Sequence, residues 1–390
     1  MRVNGGKKMT KYIKADRFFY ADHVKENGYL EIKDNHFGKW IENISGQEEI
    51  LDYSGYQIAP GLVDTHIHGF AGADVMDCDS EGILRMSAGL LSTGVTSFLP
   101  TTLTSDTKRL EEASKSVAAV AGKEQGAKIQ GIYFEGPYFT EEYKGAQNPI
   151  YMRNPNLEEF AQWQKAAKGL ITKIALAPER EGVEEFVSAI TKQGVTVALG
   201  HSNGTYKEAK KAVKAGASVW VHAYNGMRGL THREPGIVGA VYNLPNTYAE
   251  LICDGHHVDP VACDILMTQK GHNHVALITD CMAAGGAPDG DYMLGELPVV
   301  VSNGTARLKD GGNLAGSILK LKDGLKNVVE WGIATPEEAV RMASYVPAVS
   351  VGIDNVCGQI KEGYAADFII LDKHLDLVAT YLDGEKRWQS

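Results

Sequence analysis

Between positions 57 and 280 the chain alternates eight short apolar runs with amphipathic stretches, and no other feature restricts its fold as tightly. The runs cover 61–64, 96–99, 129–134, 173–177, 196–199, 218–221, 249–253 and 275–279. Rich in Val, Ile and Leu and without strict alternation, they suit parallel strands buried on both faces. Stretches 80–92, 105–121, 157–167, 183–192 and 205–214 carry apolar residues at helical spacing. Ser80 reads as the cap of the first. Lys168-Gly169, Gln193-Gly194 and Ala215-Gly216 supply glycine stops after three of them. Such alternation indicates either an open α/β sheet or a barrel.

The residues just past each run decide between the two. In order they are His66 and His68, Thr101 and Thr102, Glu135, Glu179, His201, His222, Asp254 with His257, and Asp280. An open sheet gathers its polar residues at one or two switch-point loops. Only a closed barrel brings every strand end onto one face. The expectation is an α/β fold, a (β/α)8 TIM barrel.

The flanks read differently. Stretches 11–20, 29–33, 47–53 and 358–388 are short, β-prone and turn-rich, and "GQIKEGYAADFIILD" looks like two strands around a Glu-Gly turn. Neither end can bury a core alone, so the two are expected to pair into one small β-sandwich. That gives a sandwich domain from 10–60 with 350–390, and a catalytic barrel over 61–349. A chain of 390 residues suits this division. Stretch 288–312 reads as an inserted hairpin, and 319–332 and 335–345 as closing helices.

A net charge of −10 disfavours a general nucleic-acid or anionic-membrane surface. The five cysteines are odd in number and form no C-x-x-C pair, which argues against a disulfide framework or thiolate metal site and for a reducing compartment. Positions 1–14 are polar and basic without the apolar core of a signal peptide. No apolar run is long enough to cross a bilayer. A cytoplasmic protein is expected.

Imidazole and carboxylate at strand ends suit zinc or ferrous iron. In "DTHIHG", His66 and His68 stand two apart, so both project to one side. Glu135 interrupts "IYFEGPYF" abruptly, and His201 and His222 hold equivalent ends of the fifth and sixth strands. Each alone has an ordinary reading, as a loop residue or a hydrogen-bonded core histidine. Together they point to a metal centre. Asp280 can move a proton beside such a centre, and His257 can donate to a substrate carbonyl. His256 reads as structural.

The order H-x-H, Glu, His, His, Asp, flanked by paired termini, resembles the amidohydrolase superfamily. "FEGPYF…KGAQNP", "GHSNGTY", "VHAYNGM", "HREPGIVGAV", "CDGHHV", "ITDCM" and "GNLAGS" resemble the N-acetylglucosamine-6-phosphate deacetylases in particular. The resemblance implies hydrolysis of an amino-sugar phosphate to the free amine and acetate, within amino-sugar catabolism. It makes Glu135, His201 and His222 the main metal ligands, His66 and His68 a second position sharing Glu135, and Asp280 the general acid/base. One or two divalent ions, zinc or ferrous iron, are implied. His257 would contact the acetamide; Ala146, Asn225, Gly226 and Arg233 would line the sugar-phosphate site; Leu314, Ala315 and Gly316 would close over it. Where many members have His after "KGA", this chain has Gln147, which weakens any charged grip on phosphate there. A homodimer or a dimer of dimers is implied, with Arg233 reaching phosphate across a dimer interface. Competing readings are a cyclic-amide hydrolase or deaminase, and a metal-free sugar-phosphate binding protein. The former often uses a strand-end lysine as metal bridge, and no lysine ends a strand here.

Overall fold

The computed structural model describes residues 10–44 and 49–390. Most of the polar lead at 1–14, and Gln47, lie outside the described residues. Four strands open the chain: β1 (Thr10–Phe19), β2 (Val24–Lys33), β3 (His36–Ile41) and β4 (Glu49–Pro60). Of these, β3 was not anticipated. The eight expected strands follow as β5 (Leu62–Ile67), β6 (Val95–Thr102), β7 (Ile132–Tyr138), β8 (Ile171–Leu176), β9 (Thr196–Leu199), β10 (Val219–Trp220), β11 (Tyr248–Leu251) and β12 (Val275–Leu277). Each pairs in parallel with the next. A parallel bridge between Ile67 and Cys281 joins the last strand end to the first. Asp64 ties the same seam, its Oδ2 accepting from Thr279 Oγ1 at 2.6 Å. The expected barrel is therefore present.

Helices α1 (Ser80–Leu90), α2 (Thr107–Val120), α3 (Leu157–Ala166), α4 (Val183–Thr191), α5 (Tyr206–Ala215), α6 (Gly236–Asn243) and α7 (Pro260–Lys270) separate the barrel strands. The cap of α1 is Asp79, whose side chain accepts from Glu81 N–H. Ser80, expected in that role, instead donates to Ser116 O on α2. The insertion after β12 is a three-stranded meander, β13 (Gly290–Leu294), β14 (Leu297–Ser302) and β15 (Thr305–Leu308), rather than a hairpin. Its middle strand buries Val299 and Val301, and the third strand brings Ala306 against that apolar face. Then come α8 (Leu321–Glu330), α9 (Pro336–Met342) and a third closing helix, α10 (Tyr345–Ser350). Ala348 of α10 and the following Val351, Ile353 and Cys357 pack with Val63, Leu99, Tyr133, Ala175, Ala198 and Val219. The barrel interior is thus a filled core, not a pore.

Three strands end the chain: β16 (Phe368–Leu371), β17 (Leu377–Leu382) and β18 (Glu385–Gln389). They join the first four in one sheet ordered β18-β17-β16-β4-β1-β2-β3. The sheet folds over its own core, in which Ile13, Phe18, Leu30 and Phe37 meet Phe368, Ile370 and Tyr381. Phe37 and Phe368 lie 6.1 Å apart, and His36 bridges Ala365. Pairing of the two chain ends thus matches expectation. Within 358–372 only Phe368–Leu371 is a strand, because Gly363 turns the chain and its N–H bonds back to Phe37 O. The preceding stretch instead tucks Ile360 into the terminal core.

One ion-pair cluster fastens this sheet to the barrel. Lys128, beside β6, reaches Asp367 at 2.8 Å and Asp383 at 2.7 Å. Lys128→Met would strand the largely buried Asp367 carboxylate. Breaking a buried pair costs ~3–5 kcal/mol, and the partial exposure of Lys128 reduces this to about 2–3 kcal/mol. Urea unfolding measures it; a loss below about 0.5 kcal/mol, the ordinary range for surface changes, would show that the cluster does not fasten the two parts.

Candidate active site

All the strand-end histidines and carboxylates singled out above, except Glu179 and Asp254, converge at one mouth of the barrel. Glu135, in β7, is central. Its Oε1 lies 3.1 Å from both His201 Nε2 and His222 Nε2, and those two nitrogens are 3.1 Å apart. On the other side His68 Nε2 stands 3.3 Å from Glu135 Oε2 and 3.1 Å from Asp280 Oδ1. His66 Nε2 is 3.5 Å from Glu135 and 3.4 Å from Asp280. Two ligand groups result, Glu135–His201–His222 and His66–His68–Asp280, and every member is buried.

The hydrogen bonds outside this cluster show what it can hold. His201 Nδ1–H donates to Tyr143 O, His222 Nδ1–H to Asn225 O, and His68 Nδ1–H to Thr101 O. His66 Nδ1–H donates to the Glu250 carboxylate at 3.0 Å. Every imidazole therefore presents Nε2 inward, as a metal-ligating histidine does. His66 Nε2 is fully buried yet makes no hydrogen bond. Spacings of 3.1 Å within the first group approach the ~3.3 Å separating ligand atoms around a tetrahedral ion bound at about 2.0–2.1 Å. The residues present thus fit a divalent metal.

Backbone geometry aims these side chains. His201, His222 and Asp280 have φ of 45°, 26° and 51°, in the left-handed region that non-glycine residues avoid. Neighbours pin each one. His201 O accepts from Thr140 N–H, His222 O from Asn225 N–H, and Asp280 lies between His66 O and Ser317 N–H. Gly226 lacks a side chain for a clear reason: a Cβ there would stand 2.9 Å from His201 Nδ1.

Electrostatics favour carboxylates at the centre. Burial raises Glu135, but the charge of His66 and the close contacts with His201 and His222 outweigh it, holding the carboxyl well below its usual range. Burial likewise opposes ionisation of Asp280, yet His66 and His68 bring it down to about 2. At neutral pH Asp280 is therefore ionised.

A cavity of about 320 Å³ opens over these groups. Ala146, Gln147, Asn225, Gly226, His257, Leu314 and Gly316 line it. Gly145, Leu103, Leu294 and Asn313 line it too and were not anticipated; glycine and leucine carry no chemical signature in a sequence. His257 Nδ1–H donates to Asp254 at 2.7 Å, while His256 is exposed. Gln147 commits both ends of its amide to protein groups, Nε2 to Glu135 Oε2 at 2.6 Å and Oε1 to Thr104 N–H at 2.8 Å. Two expected residues lie off the cavity. Ala315 is buried with its N–H on Ala306 O, and Arg233 stands exposed in the turn before α6. Glu179 is engaged with Thr140, Ser202 and Asn203.

The amidohydrolase family profile matches residues 58–388. An N-acetylglucosamine-6-phosphate deacetylase of Vibrio furnissii is 38% identical over 375 residues, covering 95% of this chain and 94% of that protein. An N-acetylgalactosamine-6-phosphate deacetylase of Escherichia coli O157:H7 is 37% identical over 378 residues, covering 97% and 99%. The structure of a Mycobacterium smegmatis N-acetyl-D-glucosamine-6-phosphate deacetylase, solved with N-acetyl-D-glucosamine-6-phosphate, superposes with a TM-score of 0.92 at 29% identity, covering 98% of this chain and 100% of that one. With this full-length agreement behind the ligand geometry, the chain belongs to the amidohydrolase family, among the N-acetylglucosamine-6-phosphate deacetylases.

Proposed function

We propose that this chain hydrolyses the acetamide of N-acetylglucosamine 6-phosphate to glucosamine 6-phosphate and acetate. One observation carries the reading: Glu135, Asp280 and three of the four inward-facing imidazoles, His68, His201 and His222, line a cavity of sugar size with His66 buried behind them, in a chain similar end to end to deacetylases of this substrate class. Zinc or ferrous iron would suit the donor set: Glu135, His201 and His222 would hold one ion, and His66, His68 and Asp280 would hold a second. Such an ion supplies Lewis acidity, polarising the acetyl carbonyl and acidifying water.

The chain's own residues do the rest. Asp280 takes the proton of the attacking water and returns it to the departing amine, so one carboxylate serves both halves of the reaction. Asp254 fixes the His257 ring by accepting from Nδ1–H. So held, His257 faces the acetyl carbonyl from the cavity wall, where negative charge develops. Ala146, Asn225 and Gly226 seat the sugar, and Leu314 and Gly316 close over it. Arg233, exposed in the turn before α6, would reach the phosphate held by a second copy in a homodimer. The sandwich of 10–60 with 350–390 supports a catalytic barrel of 61–349. Five free cysteines and the absence, among the described residues, of a helix able to cross a membrane fit a cytoplasmic enzyme. The galacto epimer is a second reading, favoured by the near-equal identity to the Escherichia coli relative.

Acetate release from both 6-phosphorylated epimers and their unphosphorylated sugars tests this. Turnover of the phosphorylated gluco form should exceed all others; a preference for the galacto form would select the second reading, and no release from either would reject both. Asp280→Asn, with metal content verified, should lower kcat by ~10³–10⁴-fold, the upper range for positioned proton transfer. Retention of a tenth of wild-type kcat would remove Asp280 from its role. Arg233→Ala should lower kcat/KM by roughly 10–100-fold on the phosphorylated sugar alone, as the loss of a charge-assisted contact implies. Equal losses on both sugars would count against a phosphate contact.

A further inference from the structure

Two fully buried ionisable groups lie beneath the site and have no part in the chemistry above: Lys173 on β8 and Glu250 on β11. Neither lines the cavity. Lys173 Nζ donates to Glu250 Oε1 and, at 3.2 Å, to Thr65 O. It also sits 3.7 Å from the centre of the Tyr133 ring. The other Glu250 oxygen accepts from His66 Nδ1–H at 3.0 Å and from His222 N–H at 3.3 Å.

As a source of stability the pair is a poor choice. Desolvating two charges offsets their attraction, and well-packed apolar side chains do as well or better. Apolar residues such as Val63, Leu99 and Val219 do fill neighbouring interior positions. What the pair does distinctively is orient one ring. His68, His201 and His222 are each held at Nδ1 by a backbone carbonyl, whereas His66 is held by a carboxylate. A carboxylate can only accept, so it keeps a proton on Nδ1 and makes Nε2, facing Asp280 and Glu135, the nitrogen that can ligate. Lys173 occupies the opposite oxygen and fixes the rotation of Glu250.

We propose that Lys173 and Glu250 are positioning residues for His66, setting its tautomer and through it the affinity of the His66–His68–Asp280 group for its ion. The proposal rests on the two-ion reading given above. It follows that an amide at 250 cannot serve Lys173 on one side and His66, with the His222 N–H, on the other. The Lys173 ammonium claims its oxygen, the NH₂ faces His66, and the ring proton is forced onto Nε2, where it blocks ligation.

Glu250→Gln should therefore weaken the His66 group's ion by ~10–100-fold, the range for lost outer partners of a metal ligand, and leave the Glu135–His201–His222 group much less affected. Adding Lys173→Met frees the amide to turn its oxygen toward His66. The double variant should recover to within about threefold of wild type, a coupling that additive damage cannot produce. Competition titrations with zinc on the intact protein read both affinities. Two tightly held ions in Glu250→Gln, or a double variant worse than the single, would overturn the proposal. A wild type that takes one ion at saturation would sink the two-ion reading instead. The proposal is then decided by ¹⁵N-histidine NMR of the zinc-loaded protein, with His66 assigned by comparison with His66→Asn. An exchange-protected Nδ1–H on His66 in wild type and double variant, lost in Glu250→Gln, supports it; its absence from wild type or its persistence in Glu250→Gln overturns it.

Discussion

Two carboxylates, Glu135 and Asp280, are sealed inside the barrel mouth against four imidazoles, and the rest of the site follows from balancing their charge. Buried anions are tolerated only when paired. Among protein groups alone the balance falls to protons on histidine. Burial opposes a charge on His66, but Asp280, Glu135 and Glu250 overcome it and push the ring up to about 9. His68 is raised well above its ordinary value against the same opposition from burial, by hydrogen bonds to Asp280 and Glu135. A divalent ion supplies the same positive charge without those protons and releases them on binding. The cluster is thus prepared for a cation by the same burial that makes its carboxylates costly.

Placing six such groups within reach of one another requires backbone from β5, β7 and the ends of β9, β10 and β12. A closed parallel barrel delivers those ends to one face. Three of the residues then depart from ordinary backbone geometry, at a cost on the order of 1–3 kcal/mol each. Hydrogen bonds to His201 O, His222 O and both sides of Asp280 hold them there. The large apolar core around the barrel supplies the stability against which that strain is set. Lys128 couples this core to the terminal sheet through Asp367 and Asp383, so the paired chain ends brace the barrel.

Much of this could be read from the amino-acid sequence because strand ends carry a chemical mark. His66, His68, Glu135, His201, His222 and Asp280 each break an apolar run abruptly, and a barrel turns that one-dimensional pattern into a common site. Arg233 and Ala315 were less legible. Their motifs fix a place in the chain, but whether a side chain enters a cavity depends on loop paths that no periodicity encodes. Gln147 was expected to bear on phosphate; its amide spans Thr104 and Glu135, a contact between residues 43 and 12 positions away. Lys173 and Glu250 did leave a trace, each a lone charge within an apolar strand. Reading them as partners requires knowing that β8 and β11 face one another across the barrel. The meander and α10 were misjudged in extent because short segments with mixed burial lack a full period of either pattern.

In the function proposed above, Glu135 would stand between two ions, with His201 and His222 on one side and His66, His68 and Asp280 on the other. Anomalous diffraction from crystals of the zinc-saturated protein tests it most directly. The expected result is two peaks flanking the Glu135 carboxylate, separated by ~3.5–4 Å as in two-metal hydrolytic sites, each about 2.0–2.2 Å from its ligand atoms. Ions bound away from Glu135, or a single peak at saturation with His66 and His68 turned elsewhere, would contradict it.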